Sequence, residues 1–272
     1  MTRAMLLLAL VILLVASGVS QAQSGPQWIN VKGPQEAKLR ALVFHPPGEG
    51  PFPVVVVLHG SPYGLRDEVV DWGPDLTRAG FVTVVGCYFK GTNTLRVDES
   101  GTWMAQRTPG VGKDLNPCPE APKIEDAHPV QNVIALMDAG RRVPGARSDR
   151  VGLLGWSDGG GVATVVASSG ANVQAVVAVS GGFDRTDLKN FPLPISLVQS
   201  LGAPLLILHG TKDDTVPVEA AREYEKRATA LGKNIQAYYF EGGSHRMFII
   251  PQYRVENLLP RVLEFLNRYL RP

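Results

Sequence analysis

Seven short apolar runs, bounded by turn residues and separated by segments of helical periodicity, restrict this chain more than any other feature it has. They are Leu39 to His45, Pro53 to His59, Phe81 to Cys87, Arg150 to Gly155, Val173 to Ser180, Pro204 to His209 and Ile235 to Glu241. The second reads PVVVVLH, with no polar alternation, which is the pattern of a strand buried on both faces. Helical patterns fit between the runs at Glu68 to Ala79, Ile124 to Ala139, Gly159 to Ser168, Pro217 to Leu231 and Tyr253 to Tyr269. Alternation this regular predicts an α/β fold, a doubly wound, mostly parallel sheet with helices on both faces. In such sheets the ligand crevice lies at the carboxyl ends of the strands.

Two segments break the rhythm. Tyr88 to Lys123 is long and rich in Gly, Pro and Thr, and Phe183 to Gly202 is a shorter insertion before a strand. Long loops in a compact domain are usually binding loops or lids, and both leave from strand ends on the expected ligand side.

At 272 residues with 44% hydrophobic composition, the chain can bury a substantial core, and one domain over residues 23–272 is expected. The formal net charge of +2 is small and the Lys and Arg residues are scattered, which argues against a nucleic-acid surface or an anionic-membrane patch. Residues 1–22 read as a signal peptide: Arg3, an apolar run from Ala4 to Ala16, and small residues around Ser20-Gln21-Ala22, with cleavage expected after Ala22. The apolar run is shorter than the roughly 20 residues needed to span a bilayer, so no stable membrane association is expected after cleavage. The mature protein is therefore expected to be secreted or periplasmic, where its two cysteines, Cys87 and Cys118, can form a disulfide. Closing a loop of about 30 residues, that bridge is worth roughly 3 kcal/mol in the chain-entropy account. A monomer is expected.

The segment Leu153-Leu154-Gly155-Trp156-Ser157-Asp158-Gly159-Gly160 places a serine between glycines where an apolar strand gives way to a small-residue helix. Such a strand-to-helix turn holds the serine in strained backbone geometry with its hydroxyl exposed, and flanking glycines remove the Cβ atoms that would clash. A glycine-rich turn needed only for tight helix packing is the bland alternative.

A serine hydroxyl needs a base to become nucleophilic at neutral pH, and the base needs an orienting acid. Two histidines follow Ser157. His209 ends a buried strand and reads as structural, whereas His245 lies in the glycine-rich loop Glu241-Gly242-Gly243-Ser244-His245 after the last strand and is the expected base. The loop Gly210-Thr211-Lys212-Asp213-Asp214-Thr215-Val216-Pro217 offers two carboxylates. Asp213 is the chosen orienting acid, with Asp214 reading as a helix cap or surface charge; spacing alone does not separate them. Two backbone donors would hold a developing oxyanion, one the Asp158 N–H directly after the nucleophile. The other lies in His59-Gly60-Ser61-Pro62-Tyr63-Gly64, where Pro62 has no N–H, leaving Ser61 or Tyr63; Ser61 is favoured because Gly60 permits a close turn. Tyr63, Trp156 and Trp103 are candidate walls of a substrate pocket, although each is as readily ordinary packing.

With these residues in place, nearly the whole mature chain resembles the α/β-hydrolase superfamily and, within it, the dienelactone hydrolase-like branch. The resemblance rests on LHGSP at Leu58 to Pro62, GWSDGG at Gly155 to Gly160, HGTKDDTVP at His209 to Pro217 and GGSH at Gly242 to His245. It implies the acid at Asp213. One departure matters: dienelactone hydrolase itself uses a cysteine nucleophile, and this elbow carries Ser157, so the dienelactone substrate is not implied. The resulting expectation is a serine hydrolase acting on a small-molecule carboxylic ester, with a peptidase of prolyl oligopeptidase-like type or a non-catalytic ligand-binding protein as alternatives. No cofactor is expected. His59, His128 and the scattered carboxylates lack metal-ligand spacing, and no phosphate-cradling or dinucleotide fingerprint occurs.

Overall fold

The apolar runs condense into one eight-stranded sheet, which presents alternate residues of the same strand to two separate cores. The computed structural model describes residues 25–62, 64–100, 102–105, 111–184, 186, 188 and 191–271, so the leader assigned to residues 1–22 lies outside the described residues. The strands are β1 (Gln27–Lys32), β2 (Lys38–Phe44), β3 (Phe52–Leu58), β4 (Val82–Cys87), β5 (Leu95–Val97), β6 (Lys113–Leu115), β7 (Ala146–Trp156), β8 (Ala175–Val179), β9 (Leu205–Gly210) and β10 (Ile235–Phe240). The sheet runs β1-β2-β4-β3-β7-β8-β9-β10, with β5 and β6 forming a separate hairpin. β2 is antiparallel to both neighbours and every other pairing in the main sheet is parallel.

The helices are α1 (Asp67–Val70), α2 (Trp72–Arg78), α3 (Pro129–Arg141), α4 (Asp158–Ser168), α5 (Val218–Ala230), α6 (Pro251–Tyr253) and α7 (Leu259–Leu270). In β3, Val54, Val56 and Leu58 join the core beneath α3, α4 and α5, while Val55 and Val57 join the core beneath α1, α2 and α7. That is the period-2 pleat feeding both faces, and it explains why PVVVVLH carries no polar residue before its final histidine. A parallel pair needs a crossover between its strands, so the helices cover the sheet and the loops collect at the strand ends.

Among the departures from the sequence reading, four have a plain local cause, and three of those turn on proline. The helix expected over Glu68 to Ala79 is interrupted at Asp71, because Pro74 cannot donate a hydrogen bond to the Val70 carbonyl. α3 begins at Pro129 rather than Ile124: proline suits a first helical turn but disfavours helical geometry at the residue before it, and His128 has φ −106°, ψ 72°. The last helix is preceded by a π-helical turn over Arg254–Leu258, where Pro260 removes the N–H that would bond Glu256 in an α-helix. The fourth is β1, which the apolar pattern does not reveal because QWINVK is a sheet edge, largely exposed.

The long segment after β4 is not structureless, since it contains the β5–β6 hairpin, and a disulfide joins Cys87 at the end of β4 to Cys118. Trp103 packs its ring edge-on against Phe44 with centroids 5.6 Å apart and donates its indole N–H to Asp67 Oδ1 at 3.0 Å.

α4 crosses the end of β3 so closely that a Cβ on Gly159 would sit 2.6 Å from the carbonyl oxygens of both Leu58 and His59. Backbone cannot yield as a side-chain tip can, so Gly159→Ala is expected to lose about 3 kcal/mol and roughly 10 °C in Tm. Gly202→Ala serves as the control, because its Cβ would meet only the Ala167 carbonyl oxygen at 3.5 Å. Thermal unfolding followed by circular dichroism should leave that control within about 0.5 kcal/mol of the parent.

Candidate active site

The carboxyl ends of β3, β7, β9 and β10 bring four loops together. At the end of β7 the chain turns into α4 through Ser157, whose φ of 57° and ψ of −124° lie outside the helical and strand regions. A non-glycine residue held at positive φ costs about 1 to 3 kcal/mol, so its surroundings must over-determine it. They do: the Ser157 N–H donates to the Val179 carbonyl of β8 at 3.0 Å, and the Ser157 carbonyl accepts from Gly160 at 2.9 Å, Gly161 at 3.2 Å and Gly182 at 3.3 Å. The result is a serine whose Oγ lies 3.1 Å from His245 Nε2.

His245 opens a single three-ten turn, His245–Phe248, after the Gly242-Gly243 bend. Its Nδ1 lies 2.9 Å from Asp213 Oδ2 and 3.0 Å from Asp213 Oδ1. An ionised carboxylate only accepts, so Nδ1 carries the proton and, in the neutral ring, Nε2 is left as the acceptor facing the serine. The loops bearing acid and base are laced together by Lys212 N–H to the Gly243 carbonyl at 2.9 Å and Gly242 N–H to Thr211 Oγ1 at 2.9 Å.

Asp213 has no solvent-exposed side-chain surface. Burial pushes its carboxyl up, but hydrogen bonds from His209 and His245, the Val216 amide at 2.8 Å and the His245 charge outweigh that and hold it well below the usual carboxylate range. Asp214, the alternative acid, lies one residue on at the mouth of the adjoining cavity and accepts from the Thr215 hydroxyl at 3.3 Å. His209 is fully buried, donates to the Val216 carbonyl at 2.9 Å and lies 3.3 Å from Asp213 Oδ2. Its structural reading is kept, and the structure it maintains is the turn that carries the acid.

Asp158 is the first residue of α4, and the first N–H groups of a helix have no intrahelical acceptor, so its amide is available at the elbow. The loop after β3 abuts Ser157, since a Cβ on Gly60 would come within 2.9 Å of the Ser157 Cβ. Ser61 follows, and its hydroxyl donates to the Asp158 carboxylate, whose other oxygen accepts from Thr186 Oγ1 at 2.7 Å. Thr186, in the insertion after β8, was not among the residues singled out in the sequence, where nothing marks it as facing Asp158.

A cavity of about 330 Å³ adjoins this cluster, bordered by Ser61, Val69, Trp156, His245, Arg246 and Ile249. Trp156 thus reaches the cavity, although only 2% of it is exposed. Trp103 does not border it and packs as core instead. Tyr63 lies outside the described residues. Arg66 and Arg246 also border the cavity, and of these Arg246 had a sequence signal in its adjacency to His245.

Residues 39–270 match the dienelactone hydrolase family. The chain belongs to that family. Over 229 residues it is 24% identical to a Bradyrhizobium protein named "Probable 2-oxo-3-(5-oxofuran-2-ylidene)propanoate lactonase", the match covering 80% of this chain and 82% of that one. Among solved structures, an esterase of Pyrococcus furiosus aligns with TM-score 0.65 and 17% identity over 90% of this chain and 93% of its own. An acylaminoacyl peptidase of Pyrococcus horikoshii aligns with TM-score 0.67 and 20% identity over 91% of this chain but only 42% of its own. These two likenesses establish the α/β-hydrolase fold that the strand and helix pattern predicts.

His59, at the root of the loop preceding Ser61, is fully buried against Tyr88 and Phe89, and burial lowers its pKa to about 4 despite the hydrogen bond from Nδ1 to the Gly60 carbonyl. Above pH 6.5 both folded and unfolded chains hold this ring neutral; between 6.5 and 4 only the unfolded chain takes up the proton, so stability falls with pH. The loss amounts to about 3 kcal/mol. Urea unfolding between pH 7 and pH 4 should show a decline smaller by about that amount in His59→Phe than in the parent protein.

Proposed function

We propose that this protein is a serine hydrolase that cleaves small carboxylic esters through an acyl-enzyme, with Ser157 as nucleophile, His245 as general base and Asp213 as the acid that orients it. The observation that carries this reading is the continuous relay from Ser157 Oγ to His245 Nε2 at 3.1 Å and from His245 Nδ1 to Asp213 at 2.9 Å. Ser157 Oγ attacks the ester carbonyl while its proton passes to Nε2, and the buried Asp213 carboxylate stabilises the imidazolium that forms. The negative charge on the tetrahedral oxygen is held by the Asp158 and Ser61 amides, each worth about 3 to 4 kcal/mol in the transition state. His245 then returns the proton to the leaving alkoxide, and water repeats the sequence on the acyl-enzyme.

Membership of the dienelactone hydrolase family supports hydrolysis, and the cavity of about 330 Å³ favours a small substrate over an extended one. A lactone is an ester closed on itself, so the same chemistry serves open and cyclic esters. The leader pattern of residues 1–22 and the Cys87–Cys118 disulfide favour a secreted or periplasmic location.

Two variants test this reading. Ser157→Ala is expected to lower kcat on p-nitrophenyl acetate by at least ~10⁴-fold, and Asp213→Asn by about 10⁴-fold, with folding unchanged by circular dichroism. Wild-type turnover in Ser157→Ala would refute the assignment. Matched ester and amide substrates should differ strongly in favour of the ester, and equal rates would instead favour a peptidase.

A further inference from the structure

The serine-hydrolase reading leaves unexplained why a tryptophan, a large side chain with one N–H to satisfy, stands directly before the nucleophile. Trp156 makes three contacts with one short turn. Its indole N–H donates to the His245 backbone carbonyl at 2.9 Å, and its ring stacks on Phe248, three residues further on, with centroids 5.7 Å apart and planes 2° from parallel. The His245 imidazole lies on the same indole, 5.4 Å away and tilted by 37°. The turn carrying the base is thus gripped at its first and last residues by the neighbour of the serine.

The grip is anchored beyond Phe248. That ring stacks on Trp72 of α2 at 4.9 Å, and Arg254, ion-paired with the buried Asp75, lies over the Trp72 ring at 5.4 Å. The two tryptophans of this column are used differently. Among the described residues the buried Trp72 N–H has no hydrogen-bond partner, so Trp72 contributes its faces alone. Trp156 contributes a face and a directed hydrogen bond, and the acceptor of that bond is the backbone of the base.

We infer that Trp156 is a positioning residue: by holding the His245 carbonyl and the Phe248 ring at once, it sets the distance between His245 Nε2 and Ser157 Oγ. This rests on the serine-hydrolase reading and goes beyond the sequence reading of Trp156 as a candidate pocket wall or ordinary packing. Hydrogen bonds from the imidazole Nδ1 to Asp213 fix the ring's tautomer and tilt, but the three-ten turn beneath it is short and follows two glycines, so its approach to the serine needs a second restraint. A misplacement of about 1 Å can cost a hundredfold in rate.

The test uses the full-length mature protein with p-nitrophenyl acetate. Trp156→Phe keeps an aromatic ring and removes the N–H; kcat is expected to fall by about ten- to a hundredfold with KM changed less than about twofold, and the rate of reaction with a fluorophosphonate should fall in parallel because both depend on the same proton transfer. Phe248→Leu, which removes the stack and leaves the hydrogen bond, should show a smaller loss of the same kind. A raised KM at unchanged kcat would make Trp156 a substrate wall and overturn the inference, as would unchanged kcat and KM. If Trp156→Phe does not fold, benzothienylalanine at position 156 matches the indole in shape and lacks only the N–H; the same two criteria then decide. Failure of the underlying reading shows itself separately, as turnover that survives Ser157→Ala.

Discussion

Ser157 sits at φ 57°, and the rest of the site depends on the sheet's ability to keep it there. Nothing local favours that conformation. It is imposed because β7 is bound on one side by β3 and on the other by β8, while α4 must begin at once to cover the sheet. Hydrogen bonds from the Gly160, Gly161 and Gly182 amides converge on one carbonyl, and the Ser157 amide is tied to β8. A strain of about 1 to 3 kcal/mol is small against the burial of two cores, and what it secures is a hydroxyl projecting from the rim of the sheet.

Around that fixed point the electrostatics are graded. Asp213 is buried yet held ionised by donors from two histidines and a backbone amide, so in the proposed reaction an imidazolium forming on His245 would meet a charge that needs no reorganisation. Asp158 places a second carboxylate next to Ser157. That carboxylate lies in the first turn of α4 and accepts from the Ser61 and Thr186 hydroxyls, which also pins the loop after β3 and the insertion after β8 to the elbow. Tyr88 shows the same low-polarity surroundings: burial, with the Asp158 charge adding to it, raises its hydroxyl well above the ordinary range, and it donates to the His59 carbonyl at 2.6 Å.

The central strands were legible because strands buried on both faces must be apolar throughout, and in β3 every valine is used, alternately, by one core or the other. β1 was not, because an edge strand needs neither face fully apolar. Helix ends failed at Pro74, Pro129 and Pro260, where one missing N–H or one clash outweighs a favourable hydrophobic period. Ser157 and His245 were readable from chain order and from the turn residues around each, Asp213 was chosen over its neighbour Asp214 with the support of the family resemblance, and the structure brings these three together. Trp103 and Trp156 looked equivalent in the sequence, since an aromatic residue in a loop or at a strand end does not say which way it points. One proves to pack on Phe44 and the other to grip the turn carrying His245. Thr186 was invisible because its partner, Asp158, lies 28 positions away at the start of α4.

In the proposed mechanism one hydroxyl, on Ser157, carries the chemistry. The most direct test is to treat the protein with a fluorophosphonate while following p-nitrophenyl acetate hydrolysis, then to map the adduct by peptide mass spectrometry. One label per chain is expected, on the peptide containing Ser157, with activity lost in proportion to labelling. Full labelling of Ser157 with hydrolysis undiminished, or complete inactivation with the label on another residue, would contradict it.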